Sequence, residues 1–155
     1  MVGDGSYLML SSEIVTSIQE GRKLTIVLVD NHGFSSIGNL SRSLGTDGFG
    51  TQYRYRRNGS LGLDSDSSPA PFLPIDLAAN AESLGAKVIR CASVEDLRRG
   101  LEAAKGEEST VVLAIEVDRY EGVPGYESWW DVPVAEVSEV EAVQAARRAY
   151  EEALE

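Results

Sequence analysis

The stretch Leu24-Thr25-Ile26-Val27-Leu28-Val29, followed by Asp30-Asn31-His32-Gly33, decides how this chain is read. The first six residues are an almost unbroken aliphatic and β-branched run. Such a run suits a strand buried on both faces, as in a parallel sheet. The polar tetrapeptide ends it in a loop. Upstream, Gly3-Asp4-Gly5-Ser6 is a tight turn that opens a helix. Behind it Tyr7, Leu10, Ile14 and Ile18 recur at helical spacing, with Leu8 and Val15 alongside. The pattern predicts one amphipathic helix that closes near Gly21.

Downstream the alternation continues. Pro74 is expected to open a short helix with Leu77, Ala81 and Leu84 inward and Gly85 as its stop. Residues 87–91 read as a short strand. Ser93-Val94-Glu95-Asp96 has the form of an N-cap with an acid three residues on, ahead of a stripe of Val94, Leu97, Leu101 and Ala104. Residues 110–117 form a third buried run. Ser138-Glu139-Val140-Glu141 reads as a capping box for a last helix marked by Val140, Val143, Tyr150 and Leu154. Between these lie a polar, Gly- and Ser-rich stretch at 34–73, read as structureless, and an aromatic, irregular segment at 119–137. Helices alternating with buried strands imply an α/β fold with a parallel sheet. Only Met1 and Val2 precede the first turn, so the chain is expected to begin inside a strand, as one domain over 1–155 that is incomplete at its N-terminus.

Composition narrows the function. There are 25 acids against 14 bases, with one His and one Cys among 155 residues. One Cys excludes a disulfide framework and a multi-cysteine metal site. A net charge of −11 argues against a nucleic-acid binder. No apolar run reaches the roughly 20 residues of a membrane span, and no signal peptide is legible, so a cytoplasmic location is expected. The acid is concentrated late. Residues 1–115 hold 14 acids and 11 bases, and residues 116–155 hold 11 and 3. The front of the chain is nearly balanced and able to receive an anion.

The turn at Gly3-Asp4-Gly5-Ser6 has a physical use. Glycines allow close approach to backbone N–H groups, and a helix start favours negative charge. A phosphate fits, but Asp4 would repel a bare one. A divalent cation between them resolves the conflict, and magnesium prefers oxygen ligands, including phosphate oxygens. Asn31 stands at the end of the next strand, where parallel sheets place their ligands. Taken singly, Gly-Asp-Gly and a post-strand Asn are most often turn formers. The joint pattern is more specific.

That pattern resembles the cofactor signature of thiamine-diphosphate-dependent enzymes. The resemblance implies that Asp4, Asn31 and the carbonyl of Gly33 bind magnesium, and that Gly3, Asp4, Gly5 and Ser6 hold the diphosphate with Asn31 and Gly33. It also implies the three-layer parallel-sheet sandwich of the diphosphate-binding domain. Within that family, residues 43–56, 77–86 and 122–138 are similar to trihydroxycyclohexane-1,2-dione hydrolases of myo-inositol breakdown. This branch implies carbon–carbon hydrolysis of a cyclic 1,2-diketone to a deoxy-hexuronate. The family's activating glutamate belongs to a pyrimidine-binding domain of a partner subunit, outside this chain. A homo-oligomer is implied for the full-length protein, and no turnover for this chain alone. An acetolactate-synthase-like or decarboxylase branch is the nearest alternative. A flavodoxin-like anion-binding module without chemistry is the alternative of another class.

Other residues carry two readings each. His32 is a proton carrier facing cofactor or substrate, or a loop histidine that positions the turn. Phe34, Ser35 and Ser36 are candidates for the same pocket. Residues 53–57, Tyr-Arg-Tyr-Arg-Arg, suit a loop closing over a polyhydroxylated ligand or a solvated strand; their nucleic-acid-like pattern conflicts with the overall acidity. Trp129 and Trp130 suit stacking on a sugar-like ring, or packing. Cys91 reads as a small core residue. The acidic run at 136–155 reads as one solvated helix face.

Overall fold

A computed structural model describes residues 1–48, 50–56, 70–121 and 132–155. These gather into two compact units. The first combines Met1–Phe34 with Pro74–Arg119, and the second Ser35–Leu73 with Tyr120–Glu155.

The first unit is built on a four-stranded parallel sheet. Its strands are β1 (Val2–Gly3), β2 (Thr25–Asp30), β3 (Lys87–Cys91) and β4 (Val111–Glu116), in the spatial order β1-β2-β4-β3. Val2 and Gly3 pair with Leu28 and Val29, and β2 pairs with β4 from Thr25↔Val111 through Asp30↔Glu116. All pairs are parallel, so the carboxyl ends of the strands share one edge. The unbroken apolar runs now have their reason: helices cover both faces. On one face Tyr7, Ile14, Leu28, Leu77, Ala81, Ala86 and Val112 form a core beneath α1 (Asp4–Leu10), α2 (Glu13–Gln19) and α4 (Leu77–Ser83). On the other, Cys91, Ala104, Val111, Leu113 and Ile115 pack with Leu97 and Leu101 of α5 (Val94–Lys105). Leu28 and Leu113 are wholly buried. Each is worth about 1.5–3 kcal/mol of burial. The α/β three-layer sandwich expected from the sequence is the architecture found.

Local details differ. The expected single first helix is two, α1 and α2, separated at Ser11-Ser12. Serine side chains compete for backbone groups, and a Ser pair is a common place for a helix to bend. The bend changes the buried set. Tyr7 and Ile14 are interior, while Leu8, Leu10, Val15 and Ile18 are exposed. Pro74 does not open α4. Asp76 is its N-cap, and its Oδ1 accepts the Ala79 N–H at 2.9 Å. The expected N-cap of α5 does form: Ser93 Oγ accepts from Asp96 N–H at 3.0 Å, and Asp96 Oδ2 accepts from the N–H of Ala92, one residue before the cap, at 3.1 Å. Val94, expected inward, is exposed.

The second unit holds α3 (Ser35–Ser43) and α6 (Glu141–Leu154). Within the stretch expected to be structureless, Ser35–Ser43 is therefore helical. The helix α3 escapes a periodicity search because its buried position is Gly38, while Ile37 and Leu40 are exposed. No capping box opens α6. Ser138 Oγ accepts instead from Val140 N–H at 3.1 Å, and the helix starts after Val140 without a side-chain cap. Val143 is buried, but Val140 and Leu154 are exposed. Glu136, Glu139 and the acids of α6 are exposed, as a solvated face requires. Among the described residues, no helix is long and apolar enough to cross a membrane.

Candidate functional site

The site is assembled where β1 and β2 end. The parallel register Gly3↔Val29 sets the start of α1 beside the turn that follows β2. Asp4, the first residue of α1, is 1% exposed. Its Oδ1 accepts from Gly5 N–H at 2.9 Å and its Oδ2 from Gly33 N–H at 2.7 Å. Gly3–Ser6, expected as a tight turn, is instead the end of β1 running directly into the start of α1, and the carboxylate ties this junction to the Asp30–Gly33 turn. The Asp30 side chain, which no sequence signal singled out, stands close enough to Asp4 to act on its carboxyl. Burial pushes the Asp4 carboxyl above its ordinary value. The Gly33 and Gly5 N–H bonds oppose that rise, and Asp30 reinforces it.

The four residues of the first turn divide by role. Gly3 and Ser6 are exposed, and Asp4 and Gly5 are interior. A Cβ on Gly3 would meet nothing within 4 Å, and its φ of −77° is open to any residue. Neither conformation nor a neighbour in this chain requires glycine there, so the open space in front of it is what a side chain would fill. Gly5 is different. A Cβ there would sit 2.5 Å from Phe34 Cδ1 and 2.7 Å from Cε1. Phe34 therefore packs against the turn itself.

The second turn is held in an unusual conformation. His32 has φ +58°, a left-handed geometry that costs an ordinary residue about 1–2 kcal/mol. Gly33 follows at φ +154°. Several bonds hold the turn. His32 N–H donates to Asp30 Oδ1 at 2.9 Å, and the His32 ring bonds through Nε2 to Glu116 Oε1 at 2.8 Å. Its Nδ1 lies 3.5 Å from Asp30 Oδ1. The imidazole is thus bracketed by two carboxylates. Arg119, buried to 6% exposure, donates from Nη1 to the carbonyls of both Asn31 and His32 at 2.7 Å. Asn31 is half-buried beside them.

A cavity of about 370 Å³ opens next to this turn, at the ends of β2, β4 and β3. Asp30, His32 and Glu116 line one side, and Asp76, Arg90 and Cys91 another. Arg90 Nη2 donates to both Asp76 oxygens at 2.9 and 2.8 Å, which holds the Asp76 carboxyl below its ordinary value.

The geometry brings Asp4, Gly5, Asn31, His32 and Gly33 into one assembly, with Gly3 and Ser6 at its open side. A carboxylate, an amide and a peptide carbonyl are hard oxygen donors, the chemistry magnesium selects. Among the described residues, no group of three or more His, Cys, Asp or Glu is arranged for a metal. A transition-metal centre is not what this donor set offers. Arg54, expected in a closing loop, is committed within the second unit. It lies 3.8 Å over the Phe72 ring and donates to Gln52 Oε1 and the Ala70 carbonyl, both at 2.6 Å. Trp129 and Trp130, Arg57 and the distinctive part of 122–131 lie outside the described residues.

Comparison with known proteins matches residues 1–115 to the thiamine pyrophosphate enzyme, C-terminal TPP binding domain. The chain belongs to this family. It is 45% identical over 146 residues to 3D-(3,5/4)-trihydroxycyclohexane-1,2-dione hydrolase 2 of Bacillus cereus. A hydrolase of the same name from Bacillus anthracis is 44% identical over the same length. Each match takes in 94% of this chain, which spans 22% of the length of these relatives. A benzoylformate decarboxylase from Polynucleobacter necessarius superposes with a TM-score of 0.50 at 20% identity, over 76% of this chain and 19% of the other. That likeness concerns the fold. The TPP-binding domain thus has its sheet, its Gly-Asp-Gly turn and its Asn-His-Gly turn at one edge.

Proposed function

We propose that this chain is the diphosphate- and magnesium-holding domain, spanning 1–155, of a longer cytoplasmic enzyme. That enzyme hydrolyses a carbon–carbon bond of a cyclic 1,2-diketone, trihydroxycyclohexane-1,2-dione, to a 5-deoxy-hexuronate in inositol catabolism. The observation that carries the reading is the bond from Gly33 N–H to Asp4 Oδ2 at 2.7 Å. It joins, across 29 positions, the two turns from which the ligands would come. The substrate assignment rests on the 45% identity to hydrolases of that name.

In this reading Asp4, Asn31 and the Gly33 carbonyl hold magnesium, and Gly3, Gly5 and Ser6 border the diphosphate. When bound, thiamine diphosphate supplies the carbon nucleophile for the diketone carbonyl. The chain's own residues do the rest of the work at this end. Asp4 offers a charged oxygen from a buried position that its two N–H bonds keep from rotating. His32, between Asp30 and Glu116, is a proton-holding group at the cavity wall. A pyrimidine-binding domain from a partner subunit completes the site in a homo-oligomer.

Calorimetry on the full-length protein tests this. Thiamine diphosphate should bind only with magnesium present, and Asp4→Ala should weaken or abolish that binding; unchanged cofactor affinity in Asp4→Ala would sink the metal assignment. Binding that is indifferent to magnesium would instead favour an anion-binding module without this chemistry.

A further inference from the structure

Arg119 stands beside the site with a role that neither the motif nor the family match accounts for. It lies three residues past β4, whose last residue pairs with Asp30. The ladder continues one step, with Val117 N–H donating to the Asp30 carbonyl at 2.9 Å. The chain leaving β4 therefore shadows the chain leaving β2, and Arg119 turns back onto it. Here one nitrogen takes two successive carbonyls, those of Asn31 and His32, each at 2.7 Å. Of three consecutive carbonyls in the turn, these are the two that the magnesium assignment does not use.

We propose that Arg119 is a positioning residue for the metal-binding turn: by clamping the Asn31 and His32 carbonyls, it sets the direction of the Asn31 side chain and of the Gly33 carbonyl. This rests on the magnesium reading given above. The left-handed His32 makes the clamp necessary, because a turn with a strained residue relaxes when its holding bonds are removed. Asp30 and Asp4 hold the same turn through its N–H groups, at His32 and Gly33. Arg119 holds it through its carbonyls. The two sets act on opposite edges of the peptide planes, so neither replaces the other.

The sign of the effect separates positioning from simple charge. Removing a cation near a magnesium site tightens magnesium by Coulomb's law alone. Removing a positioning partner of a ligand weakens it, typically by about 10–100-fold. The test titrates magnesium chloride into the full-length protein with thiamine diphosphate present, comparing wild type, Arg119→Met and Arg119→Lys by calorimetry. Hydrogen exchange of the peptide containing Gly33 is followed alongside. Arg119→Met should weaken magnesium about 10–100-fold and raise exchange at 31–33 while leaving β3 and α5 protected. Arg119→Lys keeps the charge and a shorter donor, and should lie between the two. Unchanged or tighter magnesium binding by a folded Arg119→Met overturns the proposal. Should that variant not fold, wild-type affinity in Arg119→Lys overturns it instead. A wild type without magnesium-dependent binding would refute the function proposed above, whatever the variants do.

Discussion

Gly5→Ala asks what the second glycine of the Gly-Asp-Gly turn is for. The added Cβ would lie 2.5, 2.7 and 3.1 Å from Cδ1, Cε1 and Cγ of Phe34. Ordinary carbon contacts are about 3.5–4.0 Å, so roughly 1 Å must yield. Phe34 directly follows Gly33, whose N–H is bonded to Asp4, so the ring must turn out of its present packing or the backbone of this anchored segment must shift. Overpacking of this kind costs about 1–3 kcal/mol. Alanine in place of glycine returns up to about 1 kcal/mol of helix propensity in α1. Gly5→Ala should therefore destabilise by about 1 kcal/mol. With Phe34→Ala already in place the clash is gone, and the same change should be neutral or stabilising. The coupling energy from the four proteins should be about 2 kcal/mol, well beyond the ~0.5 kcal/mol scatter of independent sites. Urea denaturation at constant slope measures it. Additive effects would show that Phe34 is not what requires glycine at position 5, and the packing account of this turn would fall.

Other outcomes follow from the same structure. Leu113→Ala should cost about 2–5 kcal/mol in urea denaturation, since Leu113 is fully buried and lies 2.7 Å from where a Cβ on Gly100 of α5 would sit. Ser93→Ala should cost about 1 kcal/mol by removing the cap of α5, and an unchanged midpoint would contradict the bond seen to Asp96 N–H. The Ser93 hydroxyl and the Ala92 N–H hold the Asp96 carboxyl below its ordinary value. Its contribution is present above the unfolded carboxylate range and is lost as pH falls through the lowered value. Asp4 works in the opposite sense, because burial and Asp30 raise it. Its ionisation destabilises the metal-free fold as pH rises from the unfolded value through the folded one. Asp4→Asn should flatten that decline in thermal scans with chelator present. Burial, then Asp96, pushes the Cys91 thiol up, so alkylation at neutral pH should be slow in the native protein and fast once urea unfolds it.

Much was legible in one dimension because some physical demands are local. Residues 24–29 and 110–117 announce strands covered on both sides, since a short, nearly unbroken aliphatic and β-branched run suits a doubly buried strand. Ser93 and Asp96 announce a helix start, since a cap is satisfied within four residues. The spacing between Asp4 and Asn31 singled out two segments that the structure joins through the bond from Gly33 N–H to Asp4. What failed depended on partners distant in the chain. The long first helix broke at Ser11-Ser12 and left Leu10 and Ile18 outside, because burial is decided by the sheet and not by periodicity. The helix α3 was invisible because its buried position is a glycine.

The site divides in the same way. Sequence alone determined the residue types and the order of elements: two oxygen-bearing segments, each after a strand, with helical sequence between them that only the structure divides into α1 and α2. Tertiary structure alone decided that Asp30 lies against Asp4, that Phe34 fills the space a Cβ on Gly5 would need, and that Arg119 reaches the Asn31 and His32 carbonyls. A parallel sheet brings together strand ends that are far apart in the chain. Contacts made there follow register and strand order, and neither is written in the spacing of residues along the chain.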